Sequence, residues 1–361
     1  MAAGVEQEVL AMRFDSPGRI EYGAGARHRL EEVLADWGIR RPLIVTDRWM
    51  ARSLPDKPGQ LVYEGVQPDP TEANVAAGLE QAQRGDADGI VAFGGGSPID
   101  CAKAIRKQLG GVKLVAVPTT AGTGSEATPV MVITDEEAGV KRMTREPGLM
   151  PDAAIVDYEL SATMPRPLTA HVGVDTLTHG LEAFVSRKRH PLSEAMAVRC
   201  MERCREHLRE AWRDGRQMRA RAGMALAALE GGLAFGNASV ALVHGMSRPL
   251  GVVFHIAHGL SNAVLLPAVT KYSWEGDAER YGEAARVLGI EPGREAFVAW
   301  LEALNRDLEV PRLRECCGGD RERFEGQLGK MARDAIASGS PANNPRQAGE
   351  DEIMAIYREA W

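Results

Sequence analysis

Phe93–Lys103, FGGGSPIDCAK, reads as a strand that runs into three glycines and leaves as a helix. Ser97 fits an N-cap, Pro98 the first helical position, and Asp100 the acid of a capping box. Gly94, Gly95 and Gly96 let a ligand approach the backbone, and free N–H groups with the helix dipole favour an anion there. A tight strand–helix turn would use the same residues, but the spacing predicts a phosphate, above all a dinucleotide pyrophosphate. The flanking sequence repeats the theme. Arg41–Thr46 is a buried strand ending on Asp47, and Gln60–Tyr63, Asp88–Phe93, Val112–Pro118 and Asp152–Asp157 are further strands. Arg27–Trp37, Thr71–Gly85 (Thr71 as N-cap, Asn74 at N3) and Pro98–Leu109 have helical periodicity, and Met12–Tyr22 reads as short extended pieces. Strand and helix in alternation predict an α/β unit with a Rossmann-like parallel sheet covered on both faces.

Two other glycine patterns are weaker. Gly122-x-Gly124-x-x-Ala127 matches a dinucleotide fingerprint by letters but leads into PVMVIT, which reads as strand and not helix. Gly23-x-Gly25 lacks the third small residue. The run Thr119–Glu126, TTAGTGSE, is still rich enough in hydroxyls and glycine to line a phosphate or ribose. Asp47, at the carboxyl end of a strand, is placed to bond ribose hydroxyls and repel a 2′-phosphate, which favours NAD over NADP.

After Asp157 the strand signals stop. Leu192–Trp212, Gln217–Phe235, Trp274–Leu288 and Arg294–Leu304 fit a period of 3.6, and MALAALEGGLAFGNASVALVHGM reads as a buried helix with glycine breaks. The expected division is 1–160 for an α/β nucleotide domain and 161–361 for an all-helical metal and substrate domain. Within the helical half, Val172–Phe184, VGVDTLTHGLEAF, puts Asp175 and His179 one turn apart on one helix face. A second segment, Val243–Asn262, holds three of the eight histidines in apolar sequence. If His244 and His258 face Asp175 and His179, three imidazoles and a carboxylate suit iron or zinc, and not magnesium or calcium. Cys200 and Cys204, also four apart, form a weaker candidate pair.

Bulk properties narrow the classes. A chain of 361 residues exceeds one core. A net charge of −7 argues against nucleic acid. No run of about 18 apolar residues marks a membrane span, and MAAGVEQEVLAM lacks a leader pattern. Five cysteines without a C-x-x-C pair fit a reduced, cytoplasmic protein. No internal repeat or low-complexity segment is present.

The ordered motifs GGGSPIDCAKAI, PTTAGTGSEATPVMVITD, PDAAIVDYEL, GVDTLTHGLEAFVS, LVHGMSRPLG, AHGLSNAVLLPAV and the closing NNPRQAGEDEIMAIYREAW resemble the iron-dependent (group III) alcohol dehydrogenases. Lactaldehyde reductase, 1,3-propanediol dehydrogenase and maleylacetate reductase are in that family. The resemblance implies hydride transfer between nicotinamide and a small alcohol or aldehyde, on a nucleotide-binding α/β domain joined to a helical one. It implies Asp175, His179, His244 and His258 as ligands of Fe2+, with Zn2+ as the alternative ion. It also implies NAD contacts from Asp47, Gly94, Gly95, Gly96, Ser97, Asp100, Thr119, Thr120, Thr123 and Lys141, and a homodimer or larger assembly. Three features depart from the pattern. Gly110-Gly111 shortens the link between the GGGS helix and the next strand, as in the maleylacetate reductase branch. Arg248 stands where the family often has a proton-relay histidine, and His255 where a relative has a non-titrating residue. His255 is therefore the candidate relay, or a histidine that only orients a ligand. Arg248 is the candidate selector of anionic substrates, unless it pairs with a local acid or the cofactor phosphates. A dehydroquinate-synthase-like lyase, which also holds NAD and a metal, is the alternative reading.

Overall fold

The computed structural model describes residues 12–54 and 59–361; the leader reading of the first residues falls almost wholly on 1–11, outside the described residues. Strands β1 (Arg19–Tyr22), β2 (Pro42–Val45), β3 (Leu61–Tyr63), β4 (Gly89–Gly94), β5 (Lys113–Pro118) and β8 (Ala153–Val156) form one sheet, all parallel, in the order β1-β8-β5-β4-β2-β3. β4 and β8 are buried at every residue, as expected of strands covered on both faces. Helices α1 (Leu30–Asp36), α2 (Arg48–Ala51), α3 (Glu72–Arg84) and α4 (Gly96–Leu109) connect them. Thr71 and Asn74 form the expected reciprocal cap on α3. Between β5 and β8 lies a separate antiparallel ribbon, β6 (Val130–Asp135) with β7 (Val140–Arg145).

The remaining chain is mostly helical. α5 (Arg166–Val185), α6 (Pro191–Arg213), α7 (Met218–Ala238), α8 (Leu242–Phe254) and α9 (His258–Ser273) come first. α10 (Ala278–Val287), α11 (Arg294–Asp307), α12 (Leu313–Cys316), α13 (Arg321–Ala337) and α14 (Glu350–Ala360) follow. α5 runs through the middle and is buried continuously from Gly173 to Val185, its polar Asp175, His179 and Glu182 included. Its core is continuous with Ala121, Ala127, Ala154 and Val156 from the sheet end of the molecule.

Several expectations need correction. α4 begins at Gly96, so its N-cap is Gly95 and not Ser97, and no side chain caps it. Asp100 is not a capping acid, because its oxygens accept from Ser125 Oγ at 2.6 Å and Val132 N at 2.9 Å, which ties α4 to the ribbon. The helix expected through Met224–Met246 breaks at Ser239 (φ 66°), and not at a glycine. Trp274–Gly276 is a separate 3-10 turn before α10, whose N-cap is Asp277. The Gly23–Gly25 turn is no phosphate loop: the Gly25 and Arg27 N–H groups donate to the buried Asp157 carboxylate. Among the described residues no single helix is long and apolar enough to cross a membrane.

Candidate active site

The carboxyl ends of β2, β4 and β5 open on one cleft of about 890 Å3. Asp47, Gly95, Gly96, Ser97, Thr119, Thr120 and Thr123 line it, together with Asp175 and His258. Ligands of parallel sheets bind in this position. Asp47 also caps α2, its Oδ1 accepting from Trp49 N and Met50 N, both at 2.9 Å. Gly94 does not line the cleft. Its φ of 154° turns the chain, a Cβ there would meet Pro98 at 2.6 Å, and its carbonyl accepts from Thr119 N.

Beyond Ser97 the cleft adjoins a smaller cavity of about 180 Å3, where α5, α8 and α9 present the candidate ligands. Asp175 Oδ1 lies 3.5 Å from His244 Nε2, 3.7 Å from His179 Nε2 and 3.9 Å from His258 Nε2. The Asp175, His244 and His258 ligand atoms all lie within 4.8 Å of one another. His179 stands beside this set, its ring stacked between Phe235 and His244. Ligand atoms about 2.1 Å from one tetrahedral ion are roughly 3.4 Å apart, so the spacing to Asp175 suits a first-row cation.

The side chains around the cluster agree. Asn262 Nδ2, fully buried, stands among three acceptors: 2.6 Å from Asp175 Oδ1, 3.1 Å from His244 Nε2 and 3.3 Å from His258 Nε2. Asn262 Oδ1 and His179 Nδ1 are buried without a partner. Burial alone would raise the Asp175 carboxyl, but His179, His258 and His244 hold it well below the usual range. Burial pulls His179 down to about 4 and His258 to about 3, so both are neutral donors near pH 7. Burial also disfavours charge on His244, yet Asp175 and Glu182 on either side raise it. An ionised carboxylate with neutral imidazoles, and two acids asking for positive charge between them, is a donor set for a cation.

Two expected cofactor residues line the inner cavity instead of the cleft, and the two candidate catalytic residues stand apart from each other. Lys141 lines the inner cavity and not the cleft, with Nζ 2.7 Å from Asp69 Oδ1. Asp100 lines the same cavity, its oxygens engaged as above. Arg248 is buried on the cavity wall beside the cluster, whereas His255 is exposed at the cleft, closing α8 at φ 55°.

The comparisons follow this geometry. A model of the Fe-containing alcohol dehydrogenase family, C-terminal, matches residues 169–361, and one of iron-containing alcohol dehydrogenase matches 17–158. The chain belongs to the iron-containing alcohol dehydrogenase family. Lactaldehyde reductase of Escherichia coli (strain K12) is 34% identical over 94% of this chain and 97% of its own. NADPH-dependent butanol dehydrogenase of Clostridium saccharobutylicum is 32% identical over 96% of this chain and 97% of its own. A crystal structure of 1,3-propanediol oxidoreductase superposes with a TM-score of 0.90 at 31% identity, covering 97% of this chain and all of the other. This family member is thus an oxidoreductase acting on CH–OH groups, and the lyase alternative finds no support in these relatives.

Sequence reading missed two residues of this dehydrogenase's site. Glu182 accepts from Ala241 N at 2.9 Å and Val243 N at 2.6 Å, and its Oε2 lies 2.7 Å from His244 Nδ1. With that ring nitrogen donating, His244 Nε2 faces the cluster as an acceptor. Asn262 was the other omission. Its only signal is an amide in the apolar run SNAVLLPAV. Cys200 is no ligand, because its thiol donates to Thr176 O at 3.3 Å.

Proposed function

We propose that this chain is an iron-dependent, NAD-linked dehydrogenase of small alcohols, working also as an aldehyde reductase, with residues 1–160 holding the dinucleotide and 161–361 the metal. The observation that carries the reading is the continuity of the nucleotide-type cleft with the Asp175, His179, His244 and His258 cluster, which share the residues Gly96, Ser97 and Thr123 between them. Bound there, the dinucleotide would supply or take up a hydride and the cation would polarise the reacting oxygen, worth several kcal/mol. The chain's own residues do the placing. Gly95–Ser97 offer backbone N–H groups and a helix N-terminus to the diphosphate, and Thr119 and Thr120 add hydroxyls. Asp47 faces the ribose and excludes a 2′-phosphate; a higher kcat/KM with NADPH than with NADH would refute that preference. Reduction delivers one hydride to the carbonyl carbon and one proton to its oxygen. His255, exposed at the cleft, connects that proton to bulk water. His255→Asn, which tolerates the left-handed backbone, should lower kcat and alter the pH profile at unchanged iron content; an unaltered profile removes it from the relay.

Five free cysteines, four of them buried, support a cytoplasmic location. β1 is a sheet edge with Ile20 and Tyr22 exposed, which supports pairing of two copies as a homodimer or larger assembly. Asp175→Asn tests the central claim. The protein as purified with iron should oxidise NADH with short aldehydes, and the variant should lose both bound iron and turnover. Full turnover in an iron-free variant would refute the reading.

A further inference from the structure

Arg248 is 9% exposed and lines the cavity that also presents Asp175, His179, His244 and His258. Its Nη1 donates to Ser340 Oγ at 2.9 Å and its Nη2 to Met143 Sδ at 3.3 Å. Among the described residues no carboxylate lies within 4.0 Å of it, so local acid pairing does not explain it. The acids of the cavity are otherwise engaged. Asp69 pairs with Lys141, Asp100 accepts from Ser125 and Val132, and Asp175 belongs to the histidine cluster. A guanidinium carries five donors and stays charged, so this cavity holds a buried positive charge with donors to spare. Glu182 favours this charge only at a distance, being engaged with the start of α8 and with His244; burying a charge without a contacting acid is costly, and an anion in the cavity offsets that cost.

Resting on the oxidoreductase reading above, we propose that Arg248 binds an anionic group of the substrate, making the preferred substrate a short aldehyde that carries a carboxylate or phosphonate. Two features set the length. His244 and Arg248 lie four residues apart on α8, so their side chains leave one helix face about 5–6 Å apart. The cavity of about 180 Å3 admits only a few heavy atoms beside the cluster. The carbonyl therefore faces the cluster while the anion, one or two carbons away, meets the guanidinium fork, which matches carboxylate and phosphonate oxygens two at a time. The exposed Arg145 on β7 adds positive potential to the same wall, where Lys141 is already paired with Asp69. The chemistry is unchanged by this grip: NAD(P)H gives its hydride to the carbonyl carbon, a proton goes to the oxygen, and the anion leaves as part of the hydroxy acid.

The iron-loaded enzyme is assayed with NADH or NADPH and three aldehydes: 3-oxopropanoate, phosphonoacetaldehyde and uncharged propanal. The expected kcat/KM is about 100-fold higher for the anionic pair, the scale of one desolvated charged contact. In Arg248→Met that ratio should collapse toward one, with Arg248→Lys in between. Titration of unreactive phosphonoacetate into the NAD+ complex reads the same contact without turnover, and its affinity should fall about 30-fold or more in Arg248→Met. Equal turnover of propanal and the anionic aldehydes by the unmodified enzyme overturns this inference alone, whereas turnover of none overturns the reading it rests on. Inorganic phosphate binding as tightly as phosphonoacetate would make Arg248 a general anion site and also overturn the proposal. Should Arg248→Met fail to fold, Arg248→Lys and the unmodified enzyme's substrate ratio decide.

Discussion

Glu182 shows how much a single side chain does at one remove from the chemistry. It lies in α5, one turn beyond His179, and turns away from the cluster to take two N–H groups from the start of α8 and one side of the His244 ring. One carboxylate thus caps a helix that no local side chain caps and sets the tautomer of His244, a candidate ligand. Glu182→Gln should weaken iron binding about 10- to 100-fold, measured by competition with a chelator, while circular dichroism stays unchanged. Unchanged iron affinity would reduce Glu182 to a helix cap. Spacing made the candidate cluster legible: Asp175 and His179 sit at i, i+4, and His244 and His258 stand out as polar residues in apolar sequence. Glu182 was in the same quoted stretch and invisible, because its partners lie about 60 residues away. Arg248 drew notice only because it stands where the resembled family often has a histidine, and the lack of an acid in contact with it is a tertiary fact.

Among the elements, the glycines of TTAGTGSE serve close packing. Gly124 (φ 62°) meets Gly232 of α7, where a Cβ on Gly232 would fall 2.5 Å from the Gly124 carbonyl oxygen. Two backbones touch there, and neither can yield by a rotamer change. Gly232→Ala should cost about 1–3 kcal/mol in denaturant unfolding, and a neutral result would mean that α7 slides freely against the loop. Beneath the loop, Lys103 of α4 is fully buried and donates to Ser125 and Val130, which holds loop, ribbon and helix together. Strands and helices of strong period were legible to within a few residues. The start of α4 was not, because Ser97 and Asp100 imitate a capping box whose acid is claimed by the ribbon. β7 was missed too: in VKRMTR the charged residues leave no apolar alternation, since little of the strand is buried.

Across the whole molecule, the α/β alternation foretold a parallel sheet, and the sheet dictates that its carboxyl edge carries the cleft. The sheet order and the joining of the helical core to the sheet end depend on contacts between distant segments, so the sequence could only suggest them. The exposed β1 edge bears on assembly: light scattering should give twice the chain mass, and a monomer at micromolar concentration would refute pairing there.

β7 pairs on one side only, and such an isolated hairpin is marginal alone. Yet it carries Lys141, Met143 and Arg145 along the inner cavity. This wall of the inner cavity is therefore the easiest to unzip, far below the cost of global unfolding. Hydrogen exchange should find β7 amides far less protected than those of β4 and β5, and comparable protection would sink the idea. An opened β7 would give the inner cavity a path to solvent that does not pass Asp47 and Gly95 in the cleft.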